Sequence, residues 1–316
     1  AGVPVGASAV TVNRFCASGL EAVAMACERV GSGAAAVLAG GAESMSMVPI
    51  VGNNPSANPW LVEHRPGVYL SMGLTAERVA RAYSISREAA DEFALCSHRR
   101  ALAAQAAGLF EEEIVPVPTR IPDPSNVAWW QDATVSRDEG PRADTTAAAL
   151  AQLKPAFHAR GVVTAGNSSQ MSDGAAAALV ASERFARERG LQPLARVAGY
   201  ATAGVDPEMM GMGPVKAIPK ALERAGVKLD QVDLIELNEA FACQALAVIE
   251  ACHLDPDRVN VNGGAIALGH PLGCTGAKLL ATMLSELRRR HARWGLITMC
   301  VGGGQGAAAV VENLAL

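Results

Sequence analysis

The start of the chain shows a change of hydrophobic spacing that predicts a strand, a helix and a second strand. Residues 9–12 form a short run rich in β-branched residues, which predicts a strand. Apolar positions then recur every three or four residues over 20–30, which is typical of a helix ending at Gly31. Residues 36–39 predict the next buried strand, and we expect it to end at the glycine pair 40–41.

The stretch from about residue 47 to 160 interrupts this alternation with loops and amphipathic helices. The apolar spacing predicts helices over residues 74–83, 87–107 and 145–153. Ser86 is the predicted N-cap of the second helix, and Asp144 that of the third. Residues 116–141 are rich in proline and carry two adjacent tryptophans. Because long structureless loops are rare inside compact domains, we expect this segment to pack on the surface as a lid or binding loop.

After residue 161, short apolar runs again alternate with helical patterns. The runs predict strands over residues 175–180, 194–200, 233–237, 258–261 and 295–301. The patterns between them predict helices over residues 215–225, 239–252 and 275–290. This alternation is typical of layered α/β proteins and favours a largely parallel central sheet.

A Val-x-Val-Asn string occurs twice, at residues 10–13 and 259–262. Each copy leads into a loop, a predicted helix, a predicted strand and a cluster of glycines. Two copies of one βαβ unit would explain the echo. Two unrelated βαβ units explain it equally well, because so short a string is common.

Composition excludes several classes of protein. The chain has 316 residues, half of them apolar and 18% charged, with a formal net charge of −4. No run of eighteen apolar residues is present, so we expect no membrane span. The acidic balance argues against a nucleic-acid partner. The seven cysteines are an odd number without metal-ligand spacing, which predicts reduced thiols in a cytoplasmic compartment.

Cys16 is the first candidate for chemistry, because it lies between a predicted strand and a predicted helix. The unpaired N–H groups and the dipole at a helix N-terminus stabilise a thiolate, the nucleophilic form of cysteine. The small residues 17–19 leave room for a substrate to approach the sulfur. An inert buried cysteine is the alternative from this motif alone.

His270 lies in a glycine-rich loop between a predicted strand and a predicted helix, with Gly269 before it and Pro271 after it. Such a loop brings the backbone close to a ligand, where an imidazole can act as a base or a hydrogen-bond donor. A purely structural histidine is the alternative interpretation.

Two further positions carry chemistry only in combination with the others. Cys300 ends a predicted strand, and the glycines 302–304 that follow present N–H groups able to face an oxyanion. Taken singly, this motif favours an idle thiol in a tight glycine hairpin. Asn238 follows the predicted strand 233–237 and is, in isolation, an ordinary helix N-cap.

Together these motifs resemble those of the thiolases. The first is Val-Asn-Arg-Phe-Cys-Ala-Ser-Gly at 12–19, and the others are Asn-Glu-Ala-Phe at 238–241, Gly-His-Pro at 269–271 and Cys-Val-Gly-Gly-Gly at 300–304. They occur in this order in that family. The resemblance extends to residues 40–46, 71–77 and 163–169, and thus covers essentially the whole chain.

The resemblance implies an α/β fold with α-β-α-β-α layers, built from two similar βαβ-type halves with mixed central sheets and a loop domain. One half would comprise residues 1–46 and 161–190, the loop or lid domain 47–160, and the second half 191–316. Thiolase N-terminal domains begin with two strands and two helices before the nucleophile. We expect the first half to be incomplete at its start, because nothing here corresponds to them.

The resemblance also implies a role for each matched residue. Cys16 matches the nucleophile that carries the acyl group, His270 the imidazole that activates it, and Cys300 the thiol that moves a proton at the α-carbon of acetyl-CoA. Asn238 matches the residue whose water forms, with His270, an oxyanion hole for the enolate. The N–H groups of Cys16 and Gly302 match a second hole, for the tetrahedral intermediate. The positions that match the lining of the pantetheine and acyl channel are Met72, Ala165, Ser169, Met210, Ala240 and Phe241.

The implied activity is thiolytic cleavage of 3-ketoacyl-CoA by CoA, as in fatty-acid β-oxidation, by a homodimer or homotetramer. Neither a metal nor an organic cofactor is implied, since coenzyme A is a substrate. Ser71 stands where biosynthetic acetoacetyl-CoA thiolases tend to have histidine, which favours the degradative enzyme over that alternative. A ketoacyl-carrier-protein synthase is a second alternative, but Cys300 and the Asn-Glu-Ala-Phe string favour thiolase. A non-catalytic or truncated thiolase-like chain is the alternative of another class.

Overall fold

The computed structural model describes residues 2–50, 52–123 and 125–315, and it confirms the layered α/β class. Its strands are β1 (Ala36–Ser44), β2 (Val117–Asp123), β3 (Asn126–Val135), β4 (Asp173–Ala181), β5 (Ala195–Gly204), β6 (Leu234–Leu237), β7 (Trp294–Val301) and β8 (Gln305–Asn313). Its helices are α1 (Ser18–Gly31), α2 (Pro59–His64), α3 (Met72–Ala82), α4 (Arg87–Ala106), α5 (Ala147–Ala151), α6 (Glu183–Glu188), α7 (Gly213–Ala225), α8 (Ala242–Cys252), α9 (Ala265–Leu268) and α10 (Leu272–Arg289). Ala1 and Leu316, the outer bounds of the two predicted halves, lie outside the described residues.

Helices α1 and α10 form a layer between two sheets. The apolar face of α1, which includes Leu20 and Val23, packs with Leu280 and Met283 of α10 in one buried cluster. That cluster also takes in side chains from β1 and β4 on one side and from β6, β7 and β8 on the other. The helical spacing of apolar residues in the sequence thus corresponds to helices that pack against apolar side chains of both sheets.

The first turns of α1 and α10 approach each other more closely than side chains would allow. A methyl group added at Gly19 would lie 2.7 Å from the backbone nitrogen of Ala277. A methyl group added at Gly276 would overlap the backbone nitrogen of Leu20. Glycine at these two positions therefore sets the distance between the two helices.

The C-terminal sheet has the strand order β5-β8-β7-β6. Strand β6 is parallel to β7, whereas β8 is antiparallel to both of its neighbours. The expectation of a largely parallel sheet is therefore wrong, and the mixed sheet implied by the family resemblance is present. The reason is that the glycines 302–304 form a tight turn that returns the chain directly from β7 into β8.

Strand β8 was missed in the sequence because its alanine-rich run lacks β-branched residues at its start. Residues 258–261, in contrast, do not form the predicted strand. Only Val259 pairs, in a single parallel bridge with Ile235. Asn260 adopts a positive φ of 48°, which breaks the extended path.

Four of the five expected layers are present in the described residues. Helices α7 and α8 cover the face of the C-terminal sheet opposite α1 and α10. The other face of the β1–β4 pair is exposed, with Leu38 at 65% and Leu179 at 55% of full exposure. Within the described part of the chain, no helix packs on that face.

The N-terminal sheet consists of β1 and β4, paired antiparallel with Ala39 opposite Ala178. The predicted strand 175–180 is confirmed. Strand β1 does not end at Gly40 and Gly41 as expected but continues to Ser44. Its glycines serve close packing instead, because a methyl group at Gly41 would overlap the carbonyl oxygen of Gly273 in the first turn of α10.

Residues 9–12 do not form the predicted strand. A strand exists through hydrogen bonds to a neighbour, and none of the described strands pairs with this run. Neither Val-x-Val-Asn string is therefore a full strand. Each string is nevertheless followed by a helix and a strand, α1 with β1 and α10 with β7, and the two helices pack together.

Within residues 47–160, helices α3 and α4 are confirmed, and Ser86 caps α4 by accepting a hydrogen bond from Ala89 N–H. The cap of α5 is Thr146 rather than Asp144, because its hydroxyl accepts from Ala149 N–H. The segment 116–141 is not a structureless loop: β2 and β3 pair as an exposed antiparallel hairpin. The assignment of 47–160 as a separate loop domain stays a prediction.

No helix in the described part of the chain is long and apolar enough to cross a membrane.

Replacing Gly276 by alanine tests the close approach of α1 and α10. Glycine to alanine inside a helix ordinarily stabilises by about 0.5–1 kcal/mol. Here the added methyl group meets the backbone of Leu20. We therefore expect Gly276→Ala to lower the free energy of unfolding by about 1–3 kcal/mol, measured by urea denaturation with circular dichroism.

Gly31→Ala is the matched control, since Gly31 is also helical and a methyl group there meets nothing within 4 Å. We expect this variant to keep or slightly raise the stability of the wild type. A Gly276→Ala protein as stable as the Gly31→Ala protein would contradict the proposed close contact.

Candidate active site

Cys16 lies at the centre of a single 3₁₀ turn, Phe15–Ala17, directly before α1. Phe15 has a positive φ of 45°, a strained conformation for a bulky residue. The turn is held by the side chain of Asn13, which accepts from Phe15 N–H at 2.8 Å, and by Ser18 Oγ, which donates to Phe15 O at 2.8 Å. Local polar groups therefore fix the position of the Cys16 thiol.

The turn that carries Cys16 packs against the start of α10 and the end of β7. The backbone N–H of Gly302 lies close enough to the Cys16 thiol to lower its pKa, and Cys16 lies close enough to Cys300 to raise the pKa of the Cys300 thiol. The structure thus brings Cys16 together with Cys300 and Gly302, although almost three hundred residues separate Cys16 from this pair along the chain.

The environment of Cys16 does not produce the thiolate expected from its place at a helix N-terminus. The thiol is only 7% exposed, and burial raises its pKa to about 11. The Gly302 N–H lowers the pKa but does not offset the loss of solvation. In the resting protein Cys16 is therefore a neutral thiol, which needs a base to become a nucleophile.

His270 is 4% exposed, and burial lowers its pKa to about 4. Its Nδ1 lies 2.6 Å from Thr275 Oγ1, and its Nε2 lies 3.2 Å from Asn238 Nδ2. Gly269 has a φ of 91°, which a side chain would strain, so the glycine permits the turn that places the imidazole. His270 is consequently a neutral imidazole near neutral pH, held on both sides.

Asn238 follows β6 and is tied to β7 by its N–H, which donates to Thr298 O at 3.0 Å. Its interpretation as a helix N-cap is wrong, because α8 begins at Ala242 with Phe241 as the cap residue. The side chain is 1% exposed and turned to His270, and its Oδ1 is buried without a protein partner. That oxygen is open to a donor from a water molecule or a substrate.

Cys300 is the penultimate residue of β7 and is fully buried, and burial raises the pKa of its thiol. Most of the predicted channel residues lie in one apolar cluster with it: Met72, Met210, Ala240 and Phe241. Ser169 is adjacent, since its N–H donates to Ala240 O at 3.0 Å. Ala165 is exposed, in the 3₁₀ turn Ala165–Asn167.

Glu239 was not assigned a role from the sequence, although it directly follows Asn238. It is 1% exposed and accepts hydrogen bonds from Ser97 Oγ at 2.7 Å, Asn260 Nδ2 at 2.8 Å and Ile266 N–H at 3.2 Å. These groups belong to α4, to the loop before α9 and to α9 itself. Glu239 therefore holds the His270 loop in place. The sequence feature that could have indicated this role is an acidic residue among apolar neighbours.

Arg14 also escaped the sequence analysis. Its guanidinium donates to Glu21 Oε2 of α1 and to Gln305 Oε1, each at 2.7 Å. Gln305 directly follows the glycine turn that contains Gly302. Arg14 thus ties the Cys16 turn to the residue that follows the glycine turn containing Gly302.

The arrangement combines two buried thiols, a neutral imidazole and a backbone N–H beside the Cys16 thiol. A thiol beside a base can form a covalent acyl intermediate, and a second thiol can move a proton. Backbone N–H groups in a dry site stabilise an oxyanion. The site is thus equipped for acyl transfer.

The family models for the thiolase N-terminal and C-terminal domains match residues 1–184 and 191–313. The chain is 50% identical to a 3-ketoacyl-CoA thiolase of Bacillus subtilis, covering 99% of this chain and 81% of that protein. It is 46% identical to an acetyl-CoA acetyltransferase of Shinella zoogloeoides, again over 99% of this chain and 81% of that protein.

Solved structures show the same fold. The human mitochondrial 3-ketoacyl-CoA thiolase superposes with a TM-score of 0.89 at 41% identity, covering 99% of this chain and 80% of that one. The dimeric peroxisomal thiolase of Saccharomyces cerevisiae gives a TM-score of 0.89 at 41% identity, covering 99% and 78%. The resemblance inferred from the motifs is confirmed, and the chain belongs to the thiolase family.

Proposed function

We propose that this thiolase catalyses the cleavage of 3-ketoacyl-CoA by CoA, giving acetyl-CoA and a shortened acyl-CoA through an acyl group on Cys16. The observation that carries the proposal is that the turn with Cys16 packs against β7, which brings the Cys16 thiol beside the Cys300 thiol and the Gly302 N–H. Two thiols at one site fit a reaction that needs both a nucleophile and a separate proton carrier.

In the first step His270 Nε2 takes the proton of the Cys16 thiol while the sulfur attacks the 3-keto carbon. The new carbon–sulfur bond sends the carbonyl electron pair to the oxygen. The N–H groups of Cys16 and Gly302 stabilise that oxyanion in a second role for the Gly302 donor. Removal of one such donor typically costs about 10²–10³ in rate.

The tetrahedral intermediate collapses by breaking the bond between C2 and C3. The electron pair of that bond passes to acetyl-CoA as an enolate, and the acyl group stays on Cys16. His270, now protonated at Nε2, and a water on Asn238 donate to the enolate oxygen. Cys300 gives its proton to C2, which releases acetyl-CoA and leaves a Cys300 thiolate.

The second half-reaction restores both thiols. The incoming CoA thiol gives its proton to the Cys300 thiolate and attacks the acyl group on Cys16. Cys16 leaves as a thiolate and recovers its proton from His270. The proton and electron count closes without a metal, an organic cofactor or a redox step.

The pantetheine and acyl channel is proposed to run along Met72, Ala165, Ser169, Met210, Ala240 and Phe241. Four of these six residues surround Cys300 in the same apolar cluster. Met72 also borders Gly302, since its sulfur lies 3.6 Å from the place of a methyl group on that glycine. An apolar lining suits an acyl chain, because it excludes water from the thioester.

The degradative direction is favoured by Ser71, the residue before α3, which replaces the histidine typical of biosynthetic acetoacetyl-CoA thiolases. The 50% identity to the Bacillus subtilis 3-ketoacyl-CoA thiolase supports this direction. Acetoacetyl-CoA synthesis from two acetyl-CoA molecules is the second candidate, favoured by relatives such as the 46% identical acetyl-CoA acetyltransferase.

The assembly is proposed to be a homodimer or a dimer of dimers, with support from the dimeric yeast neighbour. Cytoplasmic β-oxidation of fatty acids is the proposed setting. All seven cysteines, each within the described residues, are free thiols, in keeping with a reducing compartment.

The roles of the two thiols are distinguished by comparing the Cys300→Ser and Cys16→Ala variants. Cys300→Ser should still form an acyl-enzyme on Cys16, because the nucleophile and His270 remain. It should exchange the α-protons of acetyl-CoA with deuterated water at least about 10²-fold more slowly, since a serine hydroxyl is a poor acid and base at neutral pH. Acyl-enzyme mass and proton exchange by NMR measure the two steps.

Cys16→Ala should form no acyl-enzyme, and Cys274→Ala, which removes a neighbouring thiol outside the proposed machinery, should retain both steps. Peptide mapping that places the acyl group on Cys300 or Cys274 would overturn the assignment of Cys16. Wild-type proton exchange by Cys300→Ser would show that another group moves the proton.

Substrate range tests the degradative direction. We expect thiolysis of 3-ketoacyl-CoA chains longer than four carbons at rates at least comparable to acetoacetyl-CoA, because Ser71 and the apolar lining do not select a short chain. Steady-state rates over a series of chain lengths measure this. Activity confined to acetoacetyl-CoA would favour the biosynthetic reaction instead.

The pH dependence tests whether Cys16 and His270 form a neutral pair. With a Cys16 pKa near 11, the thiolate fraction rises about tenfold per pH unit up to that value. Alkylation of Cys16 by iodoacetamide should therefore keep rising through pH 7–10. Because the His270 pKa is near 4, its basic form persists above that pH and is lost only as the pH falls through it. A plateau of alkylation near neutral pH would indicate a preformed thiolate and contradict the neutral pair.

A further inference from the structure

The far side of the His270 ring meets a hydroxyl on the first turn of α10. Thr275 is 2% exposed, and its Oγ1 lies 2.6 Å from His270 Nδ1. The same oxygen lies 2.9 Å from the carbonyl oxygen of Pro271, one helical turn earlier. Thr275 thus contacts a ring atom opposite the nitrogen assigned to proton transfer.

A count of donors and acceptors decides the direction of these bonds. The carbonyl of Pro271 can only accept, and a threonine hydroxyl has a single proton, which in helices commonly goes to the carbonyl four residues back. Thr275 then has only lone pairs left for the ring. The proton between Thr275 and His270 must belong to Nδ1, which leaves Nε2 with a free lone pair.

The other side of the ring agrees with this assignment. An Nε2 with a free lone pair accepts from the Asn238 amide nitrogen at 3.2 Å and leaves only Asn238 Oδ1 without a protein partner. The opposite tautomer would need the amide oxygen at Nε2 and would leave a buried NH₂ group unpaired. A buried unpaired N–H is rarer in proteins than an under-satisfied carbonyl oxygen.

We propose that Thr275 is a positioning residue that holds His270 in the Nδ1–H tautomer, so that Nε2 presents a lone pair, which at rest accepts from the Asn238 amide and in the reaction takes the proton of the Cys16 thiol. The tautomer of a neutral imidazole is set by its hydrogen-bond partners, because the bond made by one ring nitrogen determines whether the other carries the proton. The inference rests on the proposed function, since the step it serves is the acylation of Cys16.

Thr275→Val removes the hydroxyl with little change of shape, and Thr275→Ser restores it. Without the acceptor, Nδ1 loses its partner, and the Asn238 amide can turn to accept from Nε2–H. We expect the ¹⁵N NMR signals of histidine-labelled protein to show a pyridine-like Nε2 for His270 in the wild type and in Thr275→Ser. In Thr275→Val this nitrogen should become pyrrole-like. Absence of the signal in His270→Gln assigns it among the six histidines.

The same variants are compared for the single-turnover rate of Cys16 acylation by a 3-ketoacyl-CoA. Thr275→Val should be slower by about 10²-fold or more, the contribution of a general base, and Thr275→Ser should be close to the wild type. Thr282→Val is the matched control: it lies on the same helix, is 2% exposed and loses a hydrogen bond to Glu113 rather than to the ring. It should keep the wild-type tautomer and rate.

The tautomer measurement needs no catalytic activity, which separates the two hypotheses. If the wild type forms no acyl group on Cys16, the proposed function fails, while the NMR comparison still decides the role of Thr275. If the wild type shows a pyrrole-like Nε2, or Thr275→Val keeps both the tautomer and the acylation rate, the role of Thr275 is refuted. Should Thr275→Val fail to fold, Thr275→Ala carries the same comparison.

Discussion

The close packing of α1 against α10 is the constraint on which the site depends. Each helix begins beside a residue of the proposed catalytic set, Cys16 before α1 and His270 before α10. The two first turns meet backbone to backbone at Gly19 and Gly276. A larger side chain at either glycine would separate the helices and, with them, the thiol from the imidazole, and a displacement of about 1 Å can cost about 10²-fold in rate.

The surrounding sheets complete the site by bringing backbone to this helix pair. Cys300 is the penultimate residue of β7, and the glycine turn after this strand places the Gly302 N–H beside the Cys16 thiol. Arg14 holds that glycine turn close to the Cys16 turn through its hydrogen bond to Gln305. On the opposite side, Asn238 directly follows β6, and Glu239 anchors the loop that presents His270. Buried hydrogen bonds thus hold the reacting groups before a substrate arrives.

Burial sets the charge state of the whole arrangement. It raises the pKa of Cys16 and Cys300 and lowers the pKa of His270, so these three groups are uncharged near neutral pH. A charged pair in so dry a place would lose more solvation than it gains from attraction. In the proposed reaction, the cost of charging His270 is offset only when the substrate forms an oxyanion that the site stabilises. The charged state is therefore confined to the site with bound substrate.

The sequence by itself determined the layered α/β class, helices α1, α3, α4 and α10, the family, and the residues to which the motifs point. Local spacing suffices for these, because helix periodicity and short glycine motifs are properties of neighbouring residues. Only the tertiary structure decided that residues 9–12 and 258–261 are not strands, that β8 runs antiparallel, and that Asn238 faces His270 instead of capping α8. It also decided that Cys16 is a neutral thiol. Strand pairing and solvation depend on segments that are distant along the chain, as Gly302 is from Cys16, and no local pattern encodes them.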